Sequence, residues 1–194
     1  MKIAIPMLLL AALAGAAPAR PLAAAPEHPS RDAVGVELDL LPIALSAADG
    51  EVGGAVQFWA GRGRDRVRLV TAVLKFPDSL TDAPFRDRDL TALAVIYDRF
   101  VRDGFRGPWI GGGVEVWWTD IGTKLGPERA ERANPVATVG GGWVFPVWRG
   151  FYLNPWAAGH LVLGDRGIDL RGARYRMRAV EGEVSLKVGW THAL

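Results

Sequence analysis

Apolar and polar residues alternate along much of this chain, most regularly at its end. Val184, Leu186, Val188, Trp190, His192 and Leu194 fall on one side, and Glu183, Ser185, Lys187, Gly189, Thr191 and Ala193 on the other. A period of two with one apolar face specifies a β-strand. Interrupted by turn chemistry, the same alternation predicts strands at 34–45, 51–61, 66–76, 91–101, 108–120, 135–147, 151–163 and 180–194. A strand at the end of the chain suits a sheet closed on itself, whose last strand must pair with its first.

The connections fall into two kinds. Segments 61–65, 102–107 and 148–150 are tight, whereas 77–89, 121–134 and 164–179 are long and polar. Counted from a periplasmic N-terminus, the long ones share one side and the tight ones the other, with 47–50 as a short outer turn. That asymmetry predicts an all-β fold, an eight-stranded antiparallel up-and-down transmembrane β-barrel. Residues 90–103 admit a second reading. Leu90, Leu93, Ala94, Tyr97, Phe100 and Val101 also recur at helical spacing, so a short helix there is the alternative. As a strand, the segment turns Ala92, Ala94, Ile96 and Asp98 inward, and it preserves the even strand number that closure needs.

Composition adds location. Met1-Lys2, an apolar run over 3–13 and small residues after it read as a secretory signal, with processing within 1–25. Residues 26–33 read as a flexible lead-in and 34–194 as the barrel. The chain has no cysteine, which excludes a lipoprotein anchor and a disulfide framework. No later apolar run is long enough for a membrane helix. A net charge of +2 is too small and too mixed to indicate nucleic acid. Glycines at 111–113 and 140–142 suit a narrow lumen that must accept large neighbours. Of the eight tryptophans, Trp59, Trp109, Trp118, Trp148 and Trp190 lie near strand ends and suggest an aromatic girdle. The competing reading puts these rings in the core of a soluble β-sandwich or lipocalin-like barrel.

Projected inward, the alternation gives Glu37, Asp39, Gln57, Lys75, Asp98, Glu115, Thr119, Asn154, His160, Glu183, Ser185 and Lys187. In a barrel just wide enough for side chains, such charges must pair, which predicts a structural network of Glu37, Glu115 and Glu183 with Lys75, Lys187 and His160. The chemical alternative is a Ser185–His160–Glu183 set for acyl transfer. Lipid A deacylases use such residues on this fold, but their serine closely follows the histidine, whereas Leu161, Val162 and Leu163 follow His160 here. No catalytic residue is therefore assigned, and no cofactor is expected. His28, His160 and His192 have no metal-ligand spacing. Arg174, Arg176 and Arg178 alternate with Tyr175 and Met177, so their guanidinium groups share one face and suit lipopolysaccharide phosphates. The bland alternative is a solvated basic rim.

The residues 187–194 resemble the C-terminal assembly signal of bacterial outer-membrane barrels, with Lys187, Gly189 and Leu194 matching it and His192 departing from it. The stretches 105–117, 151–160 and 183–190 resemble a group of small uncharacterised outer-membrane β-barrel proteins. The resemblance implies fold, outer-membrane location and handling by the assembly machinery, and no activity. Within 151–160, Pro155 suggests a bulge or a strand entry, with Trp156 turned inward beside His160. The expected role is structural or surface-binding, in contact with outer-membrane lipid and lipopolysaccharide. The alternatives are an envelope-lipid enzyme, a narrow solute pore and a soluble periplasmic lipid carrier.

Overall fold

A computed structural model describes residues 32–47 and 50–194. The signal segment, most of the lead-in and His28 lie outside the described residues, while Asp32 and Ala33 already belong to the first strand. In chain order the elements are β1 (Asp32–Asp39), α1 (Leu40–Ala47), β2 (Gly54–Arg62), β3 (Asp65–Phe76), β4 (Phe85–Phe100) and β5 (Gly107–Thr123). They continue with β6 (Gly126–Trp148), β7 (Phe151–Val162), β8 (Gly167–Leu170), β9 (Ala173–Arg176) and β10 (Val180–Ala193). Eight strands close into a ring in the order β1-β10-β7-β6-β5-β4-β3-β2, while β8 and β9 form a separate hairpin. Every junction is antiparallel, and β10 closes on β1 from Ala33↔Ala193 to Asp39↔Lys187.

β4 is a strand throughout, so the helical alternative at 90–103 does not hold. Its even residues Leu90, Ala92, Ala94, Ile96, Asp98 and Phe100 are buried, and Leu93, Val95 and Tyr97 are exposed. Pairing on both flanks, with β3 and with β5, outweighs the helical spacing of its apolar residues. The one short helix lies elsewhere. The strand expected over 34–45 stops at Asp39, and the chain turns into α1. Pro42 cannot donate to a ladder but is tolerated in a first helical turn. The Asp39 carboxylate accepts from the Leu41 amide at 3.2 Å, as a helix cap does.

Two other expectations change. The long connection predicted at 121–134 is mostly strand, because β5 and β6 run on to Thr123 and Gly126. Arg129 fixes this extension by pairing with Asp120 and Asp89, both at 2.9 Å. Pro155 marks neither a bulge nor a strand entry, since it lies inside β7. The β6–β7 ladder holds one register from Gly142↔Trp156 to Phe145↔Leu153, and the irregularity falls between Pro146 and Trp148.

The ring inverts the polarity of an ordinary globular fold. Val67, Leu69, Val95, Ile110, Val114, Val139 and Val184 are exposed on its outer face. Glu37, Asp39, Arg66, Arg68, Asp98, Asn154 and Lys187 are buried inside. Of the tryptophans assigned to a girdle, Trp148 and Trp190 are exposed, Trp118 is half-buried, and Trp59 and Trp109 face the lumen. Outside, Trp143 stacks on Phe145, Trp148 on Phe151 and Trp190 on His192, all near the rim that carries the tight turns. Among the described residues no helix is long and apolar enough to cross a membrane, which says nothing of strands.

Candidate functional site

The lumen collects nearly all the chemistry, and it is layered. At the rim of the tight turns, Trp59, Phe100, Phe105, Trp109, Val144 and Tyr152 pack into one buried cluster. Inward glycines make this possible. A Cβ on Gly35 would overlap the Trp59 ring, and one on Gly189 the Tyr152 ring. The Trp59 indole donates to the Tyr152 hydroxyl at 2.9 Å, which donates in turn to Glu37 at 2.9 Å.

Above that cluster lies a buried charge layer. Asp98 accepts from Arg66 Nε at 2.8 Å and from Arg68 Nε and Nη2 at 2.7 and 2.9 Å. Arg66 also donates to Glu37 at 2.8 Å, and Arg68 donates to Gln57. Asn154 donates to Glu37 at 3.1 Å and accepts from the Trp109 indole at 3.0 Å. The Arg66 guanidinium lies 5.0 Å from the Phe100 ring and 5.4 Å from that of Trp59. Pairing of this density is what makes charge tolerable away from water.

Two sequence assignments change here. Lys75 is outside the lumen. It sits on the outer face of β3, partly exposed, and pairs with Asp89 at 2.7 Å. The inward cations of β3 are Arg66 and Arg68, because its even residues face in. Two arginines at i and i+2 on a strand with an apolar exterior are a signal for that parity. The other lumen residues face inward, and of the three glutamates only Glu37 has a partner outside the expected network. Glu37 pairs with Arg66, whereas Glu115 and Glu183 share His160 at 3.3 and 3.2 Å.

The third layer, toward the rim of the long connections, is open. A cavity of about 190 Å³ lies between two unlike walls. One wall is a ladder of inward apolar pairs on β3 and β4, Val70↔Ala94, Ala72↔Ala92 and Leu74↔Leu90. The other carries Glu115, Trp117, Thr138, Trp156, His160 and Glu183. Glu115 accepts from the Trp117 indole at 2.6 Å and the Thr138 hydroxyl at 2.5 Å. Leu41, Pro42 and Leu45 of α1 close one side, and Asp39, Gln57, Arg68 and Lys187 form the floor.

No acyl-transfer set is assembled there. The Ser185 hydroxyl donates to Asp39 and accepts from the Leu41 amide, so it serves the cap of α1, and His160 is held by two glutamates and Thr138. A nucleophile must reach its base directly.

The outer mouth is roofed by the β8–β9 hairpin. Ile168, Leu170, Tyr175 and Met177 pack on Phe85 and Ile121, and Arg88 pairs with Glu181 across the mouth at 3.1 Å. This anchoring turns Arg174, Arg176 and Arg178 outward, all exposed. Arg174 pairs with Asp165 at 3.1 Å. The Gly167 amide and neighbouring guanidinium groups hold the Asp165 carboxyl below its usual range.

No family model matches the chain, and no curated protein matches it. Among solved structures the chain is similar to the crystal structure of Neisserial surface protein A. Identity is 16%, the match covers 82% of this chain and 94% of that one, and the TM-score is 0.44. At that level of likeness the architecture rests on this chain's own strand pairing, a closed eight-stranded antiparallel barrel with one short helix at its wall.

Proposed function

We propose that the chain is a non-catalytic barrel of the bacterial outer membrane, with a structural or binding role at the envelope surface. The inverted polarity of the ring carries this reading. An apolar band of that extent is unfavourable in water, whereas a closed ring satisfies its backbone in lipid without help from solvent. The same band argues against a soluble lipid carrier. The aromatic and charged layers fill one half of the lumen, which argues against a solute pore. The serine bonded to Asp39 argues against an acyl-transfer enzyme.

On the outer side, Arg174, Arg176 and Arg178 form an exposed face suited to lipopolysaccharide phosphates. Tyr175 and Met177, packed into the mouth, hold that face outward. Export by a cleaved signal within 1–25 and insertion by the outer-membrane assembly machinery belong to the same reading.

Fractionation tests it. The protein should travel with outer membranes, migrate differently on a gel before and after boiling, and show no conductance in planar bilayers. Removal of residues 190–194 should abolish the boiling shift, because β10 would lose its pairing with β1 at Val36↔Trp190 and beyond. Recovery in the soluble periplasm without a boiling shift would overturn the membrane reading.

A further inference from the structure

Lys187 stands apart from the other lumen charges. It is fully buried, it donates one long hydrogen bond, to Gln57 at 3.3 Å, and its ammonium rests on the Trp156 ring at 3.5 Å. Among the described residues no carboxylate oxygen lies within 4.0 Å of it. Arg66 and Arg68, at the same depth, are both paired directly with Asp98. A buried cation without a contact counter-ion is costly, and an ammonium has three donors to satisfy.

Lys187 also forms part of the cavity floor. Asp39, the acidic group on that floor, is already bonded to Ser185, Leu41 and the Trp156 indole. Glu115 is bonded to Trp117, Thr138 and His160. The unused polar capacity on the floor is therefore a donor, and it calls for an anion.

The space above is amphipathic. From the floor toward the outer rim, Val70, Ala72, Leu74, Ala92 and Ala94 give a smooth apolar wall with no hydrogen-bonding side chain. A cavity of about 190 Å³ exceeds by an order of magnitude the space one water requires, and that apolar wall gives waters few partners. We infer that the lumen cavity binds a single-chain amphiphile with a carboxylate head, of the fatty-acid class. The carboxylate sits on Lys187 and the chain lies along β3 and β4. The site depends on the barrel and not on the arginine face above it.

Matched twelve-carbon probes test the assignment, with the full chain assembled in lipid nanodiscs and binding followed by NMR. Dodecanoate labelled with carbon-13 at its carboxyl should bind at least tenfold more tightly than dodecanol or dodecyltrimethylammonium. Its alkyl protons should show contacts to the Ala72, Ala92 and Ala94 methyl groups. Lys187→Met should abolish the preference for dodecanoate over dodecanol. Ala92→Phe, which leaves every charge in place, should weaken all three probes at least tenfold while the boiling shift persists. Should Lys187→Met fail to fold, the head-group series and Ala92→Phe decide the matter. Equal binding of dodecanoate and dodecanol, or binding indifferent to Ala92→Phe, overturns the site. Tighter binding of the ammonium probe overturns the carboxylate head in favour of Glu115 and Glu183. Any of these failures in a protein that still fractionates with outer membranes leaves the membrane reading intact.

Discussion

The two halves of the lumen are built on the same strands and by opposite rules. Toward the tight turns, the inward positions of β2 to β5 hold Trp59, Arg66, Arg68, Phe100 and Trp109, all buried, with Arg68 and Trp109 reaching the edge of the cavity. Toward the long connections, the same strands present Ala55, Ala72, Ala92 and Ala94, and a cavity opens. Backbone closure sets the width of both halves. Side-chain volume alone decides which is core and which is space. Charge follows packing: the full half carries paired ions with tightly fixed geometry, while Lys187, at the boundary, and the Glu115–His160–Glu183 group face unfilled volume.

The largest expected break in that contrast is Asp98→Ala. It would leave Arg66 and Arg68 without their shared acceptor and should cost roughly 3–5 kcal/mol in urea unfolding followed by tryptophan fluorescence. Adding Arg68→Met should recover part of the loss, and strictly additive losses would show that the layer is not coupled. Next comes Gly189→Ala, whose methyl would meet the Tyr152 ring and disturb its bonds to Trp59 and Glu37. Overpacking of this kind should cost about 1–3 kcal/mol.

Ala92→Leu adds more volume than Gly189→Ala, yet it projects into the cavity, so stability should hold or rise by up to about 2 kcal/mol. A loss as large as that of Gly189→Ala would mean the outer half is packed after all. The smallest effect on stability should come from changing Arg174, Arg176 and Arg178 together to Gln, below about 0.5 kcal/mol. Binding to lipopolysaccharide should nevertheless weaken and lose salt dependence. An unchanged salt slope would reduce that face to a solvated rim.

Parity is legible in the sequence wherever a strand carries polar residues on its inward side, in either half of the lumen, and not on β3. Alternation fixes parity when one face is polar, as Glu37, Asp98, Asn154 and Lys187 do for β1, β4, β7 and β10. β3 defeats it. Beyond Arg68, its inward side carries Val70, Ala72, Leu74 and Phe76, and its outward side Val67, Leu69 and Val73, so Lys75 became the misleading polar mark. The ambiguity has the same cause as the cavity, a lumen wall that is apolar on both faces. Position along a strand says nothing about facing, so Trp59 and Trp109, near strand ends like girdle residues, turn into the lumen. The helix at 40–47 was hidden by an apolar run that periodicity alone does not assign, although Pro42 and the capping Asp39 were there to be read.

The short first strand has a consequence for the outline of the molecule. β1 meets β10 over seven residue pairs, whereas β5 meets β6 over seventeen. A membrane-spanning strand needs about 9–11 residues, so one side of the cylinder rises well beyond that height while the other falls short of it and is made up by α1. The barrel is thus cut on a slant, with a parapet of paired strands facing a low step. An approaching molecule meets a charged palisade at β5 and β6, and a sill of Leu41, Pro42 and Leu45 where the wall is lowest.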